Sequence, residues 1–385
     1  MEDELSIAYD LIYLLKCALN NKKADLQKVL SMDLKGLLSL ANAHQLTACA
    51  AFALEKIGLS DEEYYPWQQA KSMSVRKILL LNNERSIIYA YMEENQILHT
   101  SLKGIVLQGM YPKFGMREMG DNDILFDPRY QEQMYNYMTS NGYHAEIYKK
   151  VNHDEYIKQP VYNFEFHNSL FLKSDNKKIY KYYSNVVDRL IPVKGKKYEY
   201  KFSDEDFYIY TITHAYKHYS FEGTGLRILT DAYVFFERKK DTLDISYIEN
   251  ECKKIDIYDF ELMCRTLSQK LFSNNFECKL SEKEEQFLNR IIMSGAYGNQ
   301  DLGVESKLKK LRDTEGNTKH IKWKYYFDRI FVPLDFIKDV YPFYYRHKIL
   351  IPVLWFIRIF KALTINRKRI SSELRSVNET MDNIK

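Results

Sequence analysis

Apolar residues recur at helical spacing from Leu5 to Leu59. Leu11, Leu14, Leu15 and Ala18 form one stripe, and Leu37, Leu38, Leu40 and Ala41 begin another. Ser60-Asp61-Glu62-Glu63 has the hydroxyl-then-acid form of a helix start. The pattern it opens runs to about Asn95, with Ile78, Leu79, Leu81, Ile87, Ile88 and Tyr91 on its apolar side. The character changes near Gln96. The stretch from Ile97 to Gly104 reads as a short strand ending in glycine, and Tyr111-Pro112-Lys113-Phe114-Gly115 as a breaker-rich loop. Asp121 to Phe126 reads as a second strand. Pro128 opens a helix through Tyr137 that Asn141-Gly142 closes. From Tyr162 to Leu172, Phe164 and Phe166 alternate with Glu165 and His167, which predicts a third strand. Ser203-Asp204-Glu205-Asp206 starts a helical pattern that continues to a polar tail after Ile370.

This order predicts an α+β protein in three parts: a helical N-terminal region at 1–95, a small core of strands and helices at 96–200, and a helical C-terminal region at 201–385. Hydrophobic residues at 45% and charged residues at 28% are enough for a packed core and exclude wholesale disorder. The net charge of +4 lacks the excess of a general nucleic-acid binder. Five cysteines, at 17, 49, 252, 264 and 278, include no CxxC pair, so neither a zinc ribbon nor a disulfide framework is indicated. The acidic Met1-Glu2-Asp3-Glu4 lacks the basic start of a signal peptide, and the longest apolar run, Ile349 to Ile357, is too short to span a bilayer. The expectation is a reduced, cytoplasmic protein.

Candidate chemistry centres on Asp121-Asn122-Asp123. In a strand, residues i and i+2 share a face, so both carboxylates can reach one ion. Magnesium prefers hard oxygen ligands from one or two carboxylates plus substrate phosphates. With 52 acidic residues in 385, about seven acid-x-acid pairs arise by chance, so context must decide. Here a glycine-ended strand precedes the pair, an apolar Ile124-Leu125-Phe126 follows it, and Glu165 offers a third carboxylate on the next strand. Three acids on neighbouring strands suit two-metal phosphoryl chemistry.

Leu102-Lys103-Gly104, Met110-Tyr111-Pro112 and the block from Arg117 through Gly120 to Asp121-Asn122-Asp123-Ile124-Leu125-Phe126 resemble the uncharacterised bacterial nucleotidyltransferases of the DNA polymerase beta superfamily. Supporting segments are the helix from Leu38 to Gln45, Gly142-Tyr143, Glu165-Phe166-His167, His214-x-x-x-His218 and Arg227-x-x-x-Asp231. The resemblance implies a small mixed-sheet nucleotidyltransferase core flanked by helical regions. It also implies transfer of a nucleoside monophosphate from an NTP to an acceptor hydroxyl, with pyrophosphate released. Asp121, Asp123 and Glu165 would be catalytic and hold magnesium, or manganese in its place. Lys103, Gly104, Arg117, His167, His214, His218, Arg227 and Asp231 would face the nucleotide. Gly104 would let the backbone approach phosphate, and Lys103 and Arg117 would offset charge on the leaving pyrophosphate.

The acceptor stays open among small molecules, sugars, peptides and proteins. Two departures from the resembling pattern, Gly104-Ile105 and Asn122, motivate a second reading: a nucleotide-binding module of the same fold that has lost turnover. A transferase acting on nucleic acid is a third, which the small net charge argues against. His214 and His218 could chelate zinc, but no third ligand is evident, and a hydrogen-bonded pair is the simpler expectation. Arg227 and Asp231 are spaced for an intrahelical ion pair, and Arg117 adjoins Glu118. Residues 346–369 mix aromatic and aliphatic residues with Arg358, Lys361, Arg367, Lys368 and Arg369. They read as a buried helix with a basic tail, or as an element lying on an anionic membrane, although Pro352 interrupts the run.

Overall fold

The structure, a computed structural model, describes residues 2–274, 279–296, 298–315, 318–364 and 367–384. Seven short strands form one mixed sheet: β1 (His99–Ser101), β2 (Asn122–Phe126), β3 (His144–Ile147), β4 (His153–Lys158), β5 (Tyr162–His167), β6 (Ile191–Pro192) and β7 (Glu199–Lys201). Their order is β3-β4-β5-β2-β1-β7-β6. β2 runs antiparallel to β1 and parallel to β5, and β1 runs parallel to β7. Helical regions flank the sheet on both sides of the sequence, so the fold is α+β as expected.

The period of two sorts the side chains of β2 and β5 onto two faces. Ile124, Phe126, Phe164 and Phe166 pack on one face with Ile78, Leu81, Ile88 and Met92 of the helix Asp61–Glu94 and Met134 and Met138 of Gln131–Ser140. The long helix starts with a capping box: Ser60 accepts from the Glu63 N–H while Glu63 returns to the Ser60 N–H. The opposite face carries Asp123, Leu125, Glu165 and His167. Beyond it lies a larger core running from Leu11 to Ile291, built from helices of both flanks. Thr47–Leu54 is buried along its whole length, its alanines allowing close approach to the helices Glu2–Leu19 and Asp61–Glu94.

Several elements differ from the sequence expectation. β1 ends at Ser101, and the backbone turns at Lys103, with φ of +40°, into the helix Lys103–Leu107. Gly104 therefore lies in a first helical turn. Asp121 sits just ahead of β2, and β5 stops at His167 because Asn168 and Ser169 turn back to the carbonyl of Asn152. Leu79 and Ile87 are exposed, one position off the stripe set by Ile78, Leu81 and Ile88. Pro352 does not interrupt a helix; it lies in the first turn of Ile351–Leu363, where a missing N–H costs nothing. The polar tail is the helix Arg367–Ile384, with Val377 and Met381 buried against Val304 and Leu308.

Four cysteines are buried and unpaired; Cys278 lies outside the described residues. Among the described residues, no helix is long and apolar enough to cross a membrane.

Candidate active site

The parallel pairing of β2 with β5 sets Asp123 opposite Glu165 and Leu125 opposite His167. Ligand atoms of Asp123, Glu165 and His167 consequently gather within 4.8 Å of one another. Asp123 Oδ1 accepts from Lys103 Nζ at 2.6 Å and from His167 Nε2 at 2.9 Å. Since a carboxylate only accepts, His167 carries its hydrogen on Nε2. The same nitrogen lies 3.4 Å from Glu165 Oε2. Lys103 owes its aim to its left-handed backbone, a conformation that costs a side-chain-bearing residue on the order of 1 kcal/mol and that marks a constrained position.

The electrostatics follow from this packing. Burial alone would raise the Asp123 carboxyl, but Lys103 and His167 outweigh it and hold it well below the usual carboxylate range. Asp121 faces that fixed charge and is partly desolvated, so its carboxyl rises to about 6. Burial opposes the charged forms of Lys103 and His167, yet Asp123 raises the pKa of both. Asp121 lies outside the three-residue cluster and joins it only through this field.

The cluster opens into a cavity of about 420 Å³. All eleven residues singled out from the sequence line it: Lys103, Gly104, Arg117, Asp121, Asp123, Glu165, His167, His214, His218, Arg227 and Asp231. The helix Asp204–Phe221 presents His214 and His218, whose Nε2 atoms are 3.3 Å apart. Burial and the nearby Lys103 hold His214 well below the ordinary imidazole range, so it stays neutral. Among the described residues, the candidate ligand cluster includes neither His214 nor His218.

Two sequence-level pairings resolve differently in space. Asp231 does not pair with Arg227. Its carboxylate accepts from Arg117 Nε at 2.8 Å, Arg117 Nη2 at 3.0 Å and the Tyr111 hydroxyl at 2.8 Å. Arg227 instead donates to Gln45 Oε1, from the N-terminal region. Glu118 accepts from the Ala48 N–H at 2.8 Å and leaves Arg117 alone. The reason is tertiary packing, which brings Asp231 to Arg117, Gln45 to Arg227 and the Ala48 N–H to Glu118.

Gly104 and Asn122 also acquire structural reasons. A Cβ at Gly104 would stand 2.5 Å from Arg117 Nη1 and 2.7 Å from Met119 Sδ, so the glycine makes room for the guanidinium. Asn122 points away from the cavity, fully buried, and its Oδ1 accepts from Arg85 Nη1 at 2.9 Å. Its Nδ2 finds no partner among the described residues.

Gln45, Asn152, His153, Thr211, Lys217 and Thr224 also line the cavity and escaped the sequence reading. Lys217 lies between the two quoted histidines and could have been found there; it pairs with Asp175 at 2.7 Å. His153 stands opposite His167 on β4, with ring centres 5.3 Å apart, but β4 is too polar to announce itself as a strand.

An oxygen-rich cluster at the floor of a cavity with arginine and lysine on its walls suits a cation and a polyphosphate together. No curated protein and no solved structure matches the chain. The family model described as "Uncharacterised nucleotidyltransferase" matches residues 31–273, more than half of the sequence and the span that holds every one of the eleven cavity residues. The chain belongs to this uncharacterised nucleotidyltransferase family.

Proposed function

We propose that the protein transfers a nucleoside monophosphate from an NTP to an acceptor hydroxyl, releasing pyrophosphate. The observation that carries this reading is the Asp123–Glu165–His167 cluster at the floor of the cavity, in a chain of a nucleotidyltransferase family. The residues present fit a divalent cation such as magnesium or manganese: Asp123 and Glu165 offer clustered carboxylate oxygens, and the nearby Asp121 adds negative charge that Lys103 only partly offsets. When bound, such ions neutralise a triphosphate and acidify an attacking hydroxyl. His167 orients Asp123 through its Nε2–H, and Glu165 is placed to take the acceptor's proton. Lys103 and Arg227 offer positive charge to the phosphates, while Arg117, held by Asp231, shapes the wall.

One observation favours a second reading, a nucleotide-binding module without turnover: Asp123 Oδ1 is already engaged by two donors, Lys103 and His167. Metal-dependent pyrophosphate release separates the two. Each of the four NTPs would be supplied with a pool of candidate acceptors, comparing the wild type with Asp121→Ala/Asp123→Ala. Release abolished by the double substitution supports transfer. NTP binding without release supports the module. Neither binding nor release would sink both. Affinity for RNA or DNA that collapses with added salt would instead point to a nucleic-acid acceptor.

A further inference from the structure

The helix Ile351–Leu363 is apolar on both of its sides. Inward, Ile351 and Leu354 are buried, the Trp355 ring meets Phe331 at 4.8 Å, and Arg358 Nη2 donates to the Arg329 carbonyl at 3.1 Å. Outward, Val353, Phe356, Ile357, Phe360 and Leu363 form a second stripe at helical spacing, and all are exposed. Phe356 is 74% exposed and Phe360 67%. The neighbouring helix Thr318–Ile330 adds Trp323, 78% exposed, and the exposed Phe327, whose ring lies 4.5 Å from that of Phe331 just past the helix end. An exposed stripe of large apolar side chains of this kind is uncommon unless something covers it.

Charge identifies the covering surface. Residues 341–372 hold seven lysines and arginines and no acidic residue, in a chain whose net charge is only +4. Arg346 and Lys348 precede the stripe, and Lys361 and Arg367 follow its turns; all four are exposed and make no ion pair with described residues. A second copy of the chain would bring one basic rim against another, which repels. A helix of 13 residues is about 20 Å long, too short to cross a bilayer but suited to lying along one. Aromatic side chains on the apolar face with lysine and arginine at its margins match the headgroup boundary of an anionic membrane.

We infer that this C-terminal face seats the protein on an anionic bilayer surface, with Phe356, Phe360 and Trp323 entering the acyl boundary and the basic rim meeting lipid phosphates. The inference is independent of what the cavity does. Sedimentation of the full chain with vesicles tests it, using phosphatidylcholine alone and equal parts phosphatidylcholine and phosphatidylglycerol. The wild type is expected to pellet with the anionic vesicles, and salt is expected to release it. Phe356→Asp/Phe360→Asp is expected to abolish pelleting. Because each basic residue near an anionic surface contributes about a five-fold factor, Arg346→Gln/Lys361→Gln is expected to weaken binding on the order of twenty-fold. Circular dichroism checks that both variants stay folded. Failure of the wild type to pellet, or equal pelleting with neutral vesicles, overturns the inference. So does a wild-type dimer that Phe356→Asp/Phe360→Asp dissolves, which would give the face to a second copy.

Discussion

Replacing Asp231 with alanine should be among the most destabilising single changes in the cavity wall. The carboxylate receives three hydrogen bonds, two from the Arg117 guanidinium and one from Tyr111, and all three residues are buried. Its removal leaves a desolvated guanidinium without a counter-charge. Breaking a buried pair from one side costs about 3–5 kcal/mol. The Tyr111 hydroxyl loses less, since Thr230 Oγ1 stands 2.8 Å away. Arg117→Met should be cheaper than Asp231→Ala, because Asp231 keeps Tyr111 and has Arg227 one helical turn before it. Removing both charges with Arg117→Met/Asp231→Ala should cost less than the sum of the single changes, since neither partner is then left buried without its counter-charge. Urea unfolding followed by circular dichroism gives the four corners of this cycle, with an expected coupling of about 2 kcal/mol or more. An Asp231→Ala loss below about 1 kcal/mol, or additive single changes, would refute the view that this pair acts as one buried unit.

Further outcomes follow from neighbouring contacts. Gly104→Ala should cost about 1–3 kcal/mol, because the added Cβ presses on Arg117 Nη1, which Asp231 fixes, and on Met119 Sδ; in an Arg117→Met background the same change should cost less, with the Met119 contact remaining. Asn122→Ala should cost about 1–3 kcal/mol in urea titration by leaving Arg85 without its acceptor, and a neutral result would show that water serves Arg85 equally well. Burial holds the His44 imidazole down to about 4, so the unfolded chain, near the ordinary value of about 6.5, binds the proton more readily. Stability is then complete above the unfolded value and lost as pH falls through that window. Between pH 7 and 5, His44 should remove up to about 2 kcal/mol that an asparagine there would not. Equal urea midpoints shifts in wild type and His44→Asn would reject this assignment.

The sequence announced what local periodicity controls. The stripe of Leu11, Leu14, Leu15 and Ala18, the Ser60 start and the alternation through Phe164, Glu165, Phe166 and His167 all reappear in the fold. β4 stayed hidden because HDEYIK is polar on both faces; it forms through its pairing with β5 rather than through an apolar pattern. Lys103 looked like a strand-end lysine, since nothing in its neighbours reveals a left-handed backbone. Asp123, Glu165 and His167 were readable because each lies on a strand whose alternation fixes its face. The partners of Arg117 and Arg227 were not readable, because they come from residues far away in the chain and are brought in by tertiary packing. Proximity in sequence suggested Glu118 and Asp231, and tertiary packing decided otherwise.

The Gln45–Arg227 contact joins residues 182 positions apart across the cavity. A polypeptide leaving the ribosome has its acidic cluster complete once His167 has emerged, while the wall that encloses it waits for Asp231. A product terminated between those points carries the carboxylates but no enclosed chamber, and its larger core lacks the helices that complete it toward Ile291. Truncated copies are therefore expected to leave apolar faces of the larger core uncovered and to be recognisable by them as unfinished.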